Sequence, residues 1–272
     1  MDKDSNINEW TAGMNVSARS VILDLLATDS GAAFSAADLL RAGAAFGLGA
    51  VGMRTAMTRL KAEGRLVQKA RGLYGVGPAA EALQRRVLGW RSVQARRRGW
   101  SGQWLLALAG PEERADRTVW RRTLKALALE GFAEAETNVW VRPANLAGGA
   151  EAMRARLGEL GHARSLLIVT AGEVDALRAG RFARLWDGPA IAAGHADMAA
   201  ALGGSEVRLA QADLAAAAAE TLALGRRAVR RIVRDPLLPE TFGTVDALAG
   251  LVAAMDRYDR FGKAVWRRYL AG

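Results

Sequence analysis

Arg54, Thr55, Thr58 and Arg59 lie close together, and no acidic side chain joins them until Glu63. An arginine carries a planar fork of donors that grips guanine edges or phosphate oxygens, and a threonine hydroxyl can serve either role. At about 100° per residue the four fall on one arc of a helix. Met53, Ala56, Met57 and Leu60 fall opposite, at the i, i+3, i+4, i+7 spacing of a buried stripe. Any surface helix turns polar residues outward, so the arc alone selects no partner. Its chemistry nevertheless matches the major groove of DNA.

The neighbouring stretches supply what such a helix needs. Ser35 with Asp38 offers an N-cap and a first-turn acceptor for a short helix through Leu39 and Leu40. Gly43 and Gly47-Leu48-Gly49 are expected to break the chain. The Arg/Thr helix then runs from about Ala50 to Glu63 and is closed by Gly64. Arg65 to Gln68, a turn over Lys69 to Gly72, and Leu73 to Val76 read as a short hairpin carrying Lys69 and Arg71. Ahead of all this, a loose tail is expected to about residue 15. Ser17 then caps a helix with Ala18, Val21, Ile22, Leu25 and Leu26 inward and Arg19 outward. Helix, helix, Arg/Thr helix and basic hairpin is the order of a winged helix-turn-helix. In that reading Arg54, Thr55, Thr58 and Arg59 enter the major groove, while Lys61, Lys69 and Arg71 lie near phosphates.

The segment Gly47-Leu48-Gly49-Ala50-Val51-Gly52 also satisfies G-x-G-x-x-G, the dinucleotide spacing. That motif needs a strand before its first glycine and an acid about 20 residues on. Asp38 to Phe46 reads as helix, and the downstream region is basic, so a dinucleotide site is rejected.

With 51% hydrophobic residues the 272-residue chain can bury real cores, and its length allows two or three domains. A net charge of +10 and a pI near 10.8 suit a polyanionic partner. There is no cysteine, which excludes disulfides, iron–sulfur clusters and Cys-ligated zinc. The polar start Met1 to Asn6 lacks the apolar stretch of a signal peptide. The longest apolar runs, Trp104 to Ala109 and Leu166 to Ala171, are far short of the about 20 residues that span a bilayer. A soluble, cytoplasmic protein without membrane association is expected.

From Pro78 to Gly99 the pattern is helical and basic: Arg85, Arg86, Arg91, Arg96, Arg97 and Arg98 face a single acid, Glu81. Such a stretch is either a solvated linker helix or an extension of a phosphate-contacting surface. Residues 100 to 172 alternate in type. Gln103 to Ala109 reads as a strand, Pro111 to about Leu129 as a helix, Asn138 to Arg142 as a strand, Glu151 to Leu160 as a helix and Ser165 to Ala171 as a strand, with one more strand if Phe132 to Glu136 is also extended. In that case the order is the βαββαβ of a ferredoxin-like domain. Beyond Gly172 the chain is mostly helical, with helices over about Asp213 to Val233 and Val245 to Leu270, interrupted at Arg234-Asp235-Pro236-Leu237-Leu238-Pro239.

Catalytic constellations are thin. His162 and His195 are the two histidines, and neither sits in a metal or triad context, so both read as surface or capping residues. Glu112, Glu113 and Asp116 read as first-turn dipole stabilisers. Trp100 and Trp104 read as core or interface aromatics. No catalytic residue, metal ligand or cofactor is expected, and no enzymatic activity.

Taken together these segments resemble the PaaX-like family of phenylacetic acid degradation repressors. The residues that carry the resemblance are Ser17-Ala18-Arg19, Arg54-Thr55-Ala56, Arg59-Leu60, Gly64, the Tyr74 hairpin, Trp100-Ser101-Gly102-Gln103-Trp104, Gly131-Phe132, Val139-Trp140-Val141-Arg142-Pro143 and Arg234-Asp235-Pro236-Leu237-Leu238-Pro239. The resemblance implies an α+β protein in four stretches. These are a winged helix-turn-helix over 1–80, a basic linker helix over 81–99, a ferredoxin-like middle domain over 100–172 and a helical C-terminal domain over 173–272. It implies a homodimeric transcriptional repressor on double-stranded operator DNA, released by an aryl-CoA such as phenylacetyl-CoA. Near the C-terminus Arg227, Arg230, Arg231 and Arg234 would meet that anionic effector. Phe242-Gly243-Thr244-Val245 departs from the Trp-Pro-Gly-like turn of the family, which leaves another acyl-CoA open. The middle domain is also similar to CRISPR-associated small nucleases. Those carry an acid near the end of the first strand, where this chain has Ala109-Gly110-Pro111. A metal-dependent nuclease and a ligand-independent nucleic-acid-binding protein stand as the alternative readings.

Overall fold

The structure, a computed structural model, describes residues 16–161 and 164–272; the tail expected over 1–15 and His162 lie outside the described residues. It is an α+β protein with two small antiparallel sheets. Two compact units are formed. The first draws on Met1–Gly89, Ala199–Val229 and Ala253–Gly272, the second on Trp90–Met198 and Arg230–Val252. Residues 173–272 are thus divided between the two.

In the first unit, helix α1 (Ala18–Leu26) starts at Ser17, whose hydroxyl accepts from Ser20 N in a capping box. Strand β1 (Ala33–Ser35) leads into α2 (Ala36–Ala45), where Ser35 and Asp38 cap each other's backbone N–H groups. Gly43 does not break α2 as expected. A methyl there would stand 2.5 Å from Met53 Cγ, so the glycine allows close packing inside a continuous helix. The turn falls later, at Gly47 with φ +70°. Helix α3 (Ala50–Ala62) follows and ends before Gly64, φ +65°. Strands β2 (Leu66–Ala70) and β3 (Leu73–Val76) form the hairpin, and β1 pairs with β3 to give the order β1-β3-β2. Lys69, expected in the turn, lies in β2 at a register shift between Gln68 and Ala70.

Val21, Ile22, Leu25 and Leu26 of α1, Leu39 and Ala42 of α2, and Met53, Met57 and Leu60 of α3 make one buried core with Leu66 and Val76. Residues from the far end of the sequence complete it: Leu209, Ala217, Ala218, Leu222, Val265 and Trp266. Arg226 pairs with Asp24 at 2.9 Å, Lys263 with Asp29 at 3.1 Å, and Tyr269 Oη donates to Arg41 O at 3.0 Å.

The basic segment expected to be helical to Gly99 is α-helical only as α4 (Pro78–Leu88), which belongs to the first unit. A 3-10 segment, Gly89–Arg96, follows, with Trp90 and Val93 buried. The chain then lies alongside residues 145–147, with Arg98 N donating to Asn145 O at 2.8 Å and Ala147 N to Arg96 O at 2.9 Å.

Beyond this lie β4 (Trp104–Leu108), α5 (Pro111–Ala115), α6 (Arg117–Leu129), β5 (Ala133–Glu136), β6 (Val139–Pro143), α7 (Gly149–Glu159) and β7 (Leu167–Ala171). The single helix expected over 111–129 is two. Asp116 accepts from Thr118 N and Val119 N at 2.7 and 3.1 Å and so starts a new helix. The four strands run antiparallel in the order β5-β6-β4-β7, and Pro143 is the last residue of β6, paired with Trp104. Helices α8 (Ala176–Ala183), α9 (Gly188–Leu209), α10 (Leu214–Val233) and α11 (Val245–Ala271) complete the chain.

A buried polar cluster ties the second unit together. Arg142, on β6, is 1% exposed; its Nε donates to Pro143 O at 3.0 Å, Nη2 to Asn145 Oδ1 at 3.0 Å, and Nη1 to Glu130 O. Burial pulls its pKa down to about 9, against the raising pull of Glu130, so it stays charged at neutral pH. The Glu130 carboxylate, fully buried, meets Arg96 and Arg156, the latter at 3.1 Å. Asp235 is buried too, accepting from Leu237 N at 2.7 Å and facing His195 Nε2 at 2.7 Å.

Candidate nucleic-acid interface

The buried stripe of α3 and its outward arc are set by the same turn of the helix. With Met53 and Leu60 at 0% exposure, Arg54, Thr55, Thr58, Arg59 and Lys61 are all exposed. The structure therefore gathers the five expected α3 residues on one solvent face. Thr55 Oγ1 donates back to Val51 O at 3.0 Å and Thr58 Oγ1 to Arg54 O at 3.1 Å. Lys61 Nζ sits 5.9 Å from the centre of the Tyr74 ring, on β3. Lys69 is exposed on β2 and Arg71 in the turn after it.

The one acid of this stretch is occupied elsewhere. Glu63, just past the end of α3, receives Arg19 Nη1 of α1 at 2.6 Å and Arg65 Nε at 3.5 Å. The Arg19 hydrogen bond holds the Glu63 carboxyl below its ordinary range and in turn raises the Arg19 guanidinium. Arg19, read from sequence only as an outward residue, is thus the link from α1 to α3. Among the described residues no ion pair engages Arg54, Arg59, Lys69 or Arg71, so this face keeps its positive charge. The rejected dinucleotide motif gains nothing here: helix α2 precedes Gly47, and Gly49 is the N-cap of α3.

The arginines of 85–98 divide. Arg96 and Arg97 are turned inward, Arg96 to Glu130 and Arg97 Nη2 to 3.8 Å from Asp235, and desolvation lowers the Arg97 pKa. Arg85, Arg91 and Arg98 are exposed.

Of the arginines expected near an effector, Arg227, Arg230 and Arg234 are exposed, while Arg231 is half-buried with its Nε donating to His195 Nδ1 at 3.2 Å. Gly194 makes the room, since a methyl there would overlap Arg231 Nη2. Because Nδ1 accepts, His195 carries its proton on Nε2 and donates it to Asp235. His195 is 2% exposed, which corrects its reading as a surface or capping residue; nothing in its Ala-rich surroundings signalled a partner forty positions away.

Glu113 accepts from Gly110 N at 2.6 Å, and its carboxyl is held below the ordinary range chiefly by the Ser165 hydroxyl. Glu112 is exposed on α5. Among the described residues no group of three His, Cys, Asp or Glu side chains could hold a metal ion. Trp104, 2% exposed, meets Trp100 and Phe182 edge-on at 5.3 Å each and stacks on Trp186 at 6.4 Å. Among the described residues no helix is long and apolar enough to cross a membrane.

The chain is similar over 93% of its length to the solved structure of an uncharacterised protein, Rv0674, from Mycobacterium tuberculosis. The two are 26% identical, with a TM-score of 0.59 and 98% of that chain covered. No curated protein matches the chain. Residues 17–76, from the N-cap of α1 to the last residue of β3, match the family model described as PaaX-like protein.

Proposed function

We propose that the protein is a DNA-binding transcriptional repressor of an aromatic-acid catabolic operon, acting in the cytoplasm as a homodimer. The observation that carries this is the exposed, unneutralised arc of α3 beside the basic β2–β3 hairpin, inside the segment that matches the PaaX-like family. In this reading α1 to α3 with β1 to β3 are a winged helix-turn-helix, β4 to β7 with their helices a ferredoxin-like domain, and α8 to α11 the helical region. Arg54, Thr55, Thr58 and Arg59 enter the major groove, and Lys61, Lys69 and Arg71 meet phosphates. Two readers about a twofold axis would recognise an inverted repeat. The effector is an acyl-CoA thioester such as phenylacetyl-CoA, met by Arg227, Arg230, Arg231 and Arg234. No catalytic step is assigned.

The test is a mobility shift on the promoter DNA beside the protein's own gene, with and without phenylacetyl-CoA. Specific binding released by the thioester supports the whole reading. Specific binding that ignores it keeps the repressor and removes this effector. Flat affinity across sequences would favour a nucleic-acid coat, and magnesium-dependent cleavage a nuclease. Arg54→Ala should lose sequence preference with the fold intact; unchanged operator affinity would overturn the placement of α3.

A further inference from the structure

Val51 is 77% exposed, among the most exposed large apolar side chains of the described residues. It occupies the second position of α3, and it has no role in the arc of polar residues that suggests DNA. A single exposed valine signifies little by itself. Its position is what matters. At about 100° per residue, Val51, Thr55, Thr58 and Ala62 run along the line opposite the buried Met53, Met57 and Leu60. They are the outermost residues of the helix. Arg54 and Lys61 lie on one side of that line and Arg59 on the other.

The threonines reinforce the pattern. Both hydroxyl hydrogens are spent on carbonyls one turn back, Thr55 on Val51 O and Thr58 on Arg54 O. Each threonine is left to offer a γ-methyl and an oxygen that can only accept. The crest of α3 thus holds no free side-chain donor. It is a strip of methyl groups between cationic flanks. In the major groove, the thymine C5-methyl is the apolar group that distinguishes one base edge from the others.

We propose that α3 reads thymine by methyl contact, with Val51 as the specificity-determining residue and Thr55 and Thr58 supporting it, while Arg54 and Arg59 serve guanine or phosphate on either side. The proposal rests on α3 entering the major groove, as in the function proposed above. Duplex DNA fits the strip better than an apolar protein surface does, because its flanking cations have no acidic partner among the described residues and phosphates line both walls of the groove.

The experiment starts from the full chain and a random-sequence duplex library. Selected duplexes are remade with single thymine-to-deoxyuridine replacements, which remove one methyl and leave every hydrogen-bonding group. One or two positions per half-site should lose about 3- to 10-fold in affinity for the native protein. Val51→Ala should bind the thymine duplex about that much more weakly and lose the sensitivity to deoxyuridine at the same position. Thr55→Ser, which removes a methyl and keeps the hydroxyl, should also bind the thymine duplex more weakly than the native protein does. Specific binding indifferent to every deoxyuridine replacement, or a Val51→Ala protein that keeps its sensitivity, overturns the methyl reading and leaves the DNA-binding function standing. Failure to select any sequence overturns that function, and the methyl reading with it.

Discussion

Asn145 Nδ2 donates to the carbonyl of Leu237 at 2.7 Å, and Leu237 holds a left-handed φ of 52°. A non-glycine residue in that region costs of order 1–3 kcal/mol and persists where its surroundings over-determine it. Here three groups do so: Asn145, the Asp235 carboxylate on Leu237 N, and the burial of Leu237 and Leu238. The Arg234 to Pro239 loop is therefore held from both ends of its strained residue.

Asn145→Ala should lower the stability of the second unit by about 2–4 kcal/mol, because it leaves the Leu237 carbonyl and Arg142 Nη2 buried without their partner. Urea unfolding of the full chain measures this. A loss below about 0.5 kcal/mol would mean the bond contributes nothing beyond its neighbours.

Gly131→Ala should be as costly. Gly131 has φ +77°, and a methyl there would stand 2.8 Å from both Cα and O of Pro236. Strain and overpacking together predict about 2–4 kcal/mol. The effect should not be additive with Asn145→Ala, since both act on the same loop; strict additivity would separate the two devices.

Acid should loosen the link between α1 and α3. The Arg19 hydrogen bond depresses the Glu63 carboxyl in the folded chain, so the unfolded chain takes up the proton first. The contribution of Glu63 is whole above its ordinary value of 4.5 and vanishes as pH falls through the lower folded value. The Tm difference between the native protein and Glu63→Gln should accordingly be constant near neutrality and shrink below about pH 4.5. High salt should narrow it at every pH, because the pair is exposed.

Lys69→Ala and Arg71→Ala should weaken DNA binding evenly across sequences. Each should reduce the slope of log K against log salt by about 0.9 if its charge meets a phosphate. Affinity measured from low to moderate salt decides this, and an unchanged slope would place the hairpin away from the backbone.

The three helices and the hairpin of residues 17–76 were legible in the sequence because their signals are local. Ser17, Ser35 and Asp38 cap their own helices, and the spacing of Met53, Met57 and Leu60 names a buried face without reference to anything distant. The misses are of two kinds. Short devices were hidden: β1 has three residues and no alternation, and Asp116 restarts a helix inside what reads as one. Long-range devices were invisible: His195 with Asp235, Glu130 with Arg96 and Arg156, and Arg142 with Asn145 join residues whose own neighbourhoods look solvent-facing. Arg96 and Arg97 show the same ambiguity from the other side. A run of arginines read as linker or phosphate surface holds two that serve the interior of the second unit.

Gly75 is the partner of Val67 in the hairpin, and the Lys69 stem crosses it so closely that a Cβ on Gly75 would lie 2.7 Å from Lys69 Cε. A free lysine side chain surrenders up to about 2 kcal/mol of rotamer entropy when it is immobilised. With its methylenes already laid along the glycine, Lys69 has given up part of that freedom before its ammonium meets any partner. The bare backbone at Gly75 acts as a rest for a preorganised cation, and Gly75→Ala would keep the charge while pushing the stem off that rest, restoring the ordering cost.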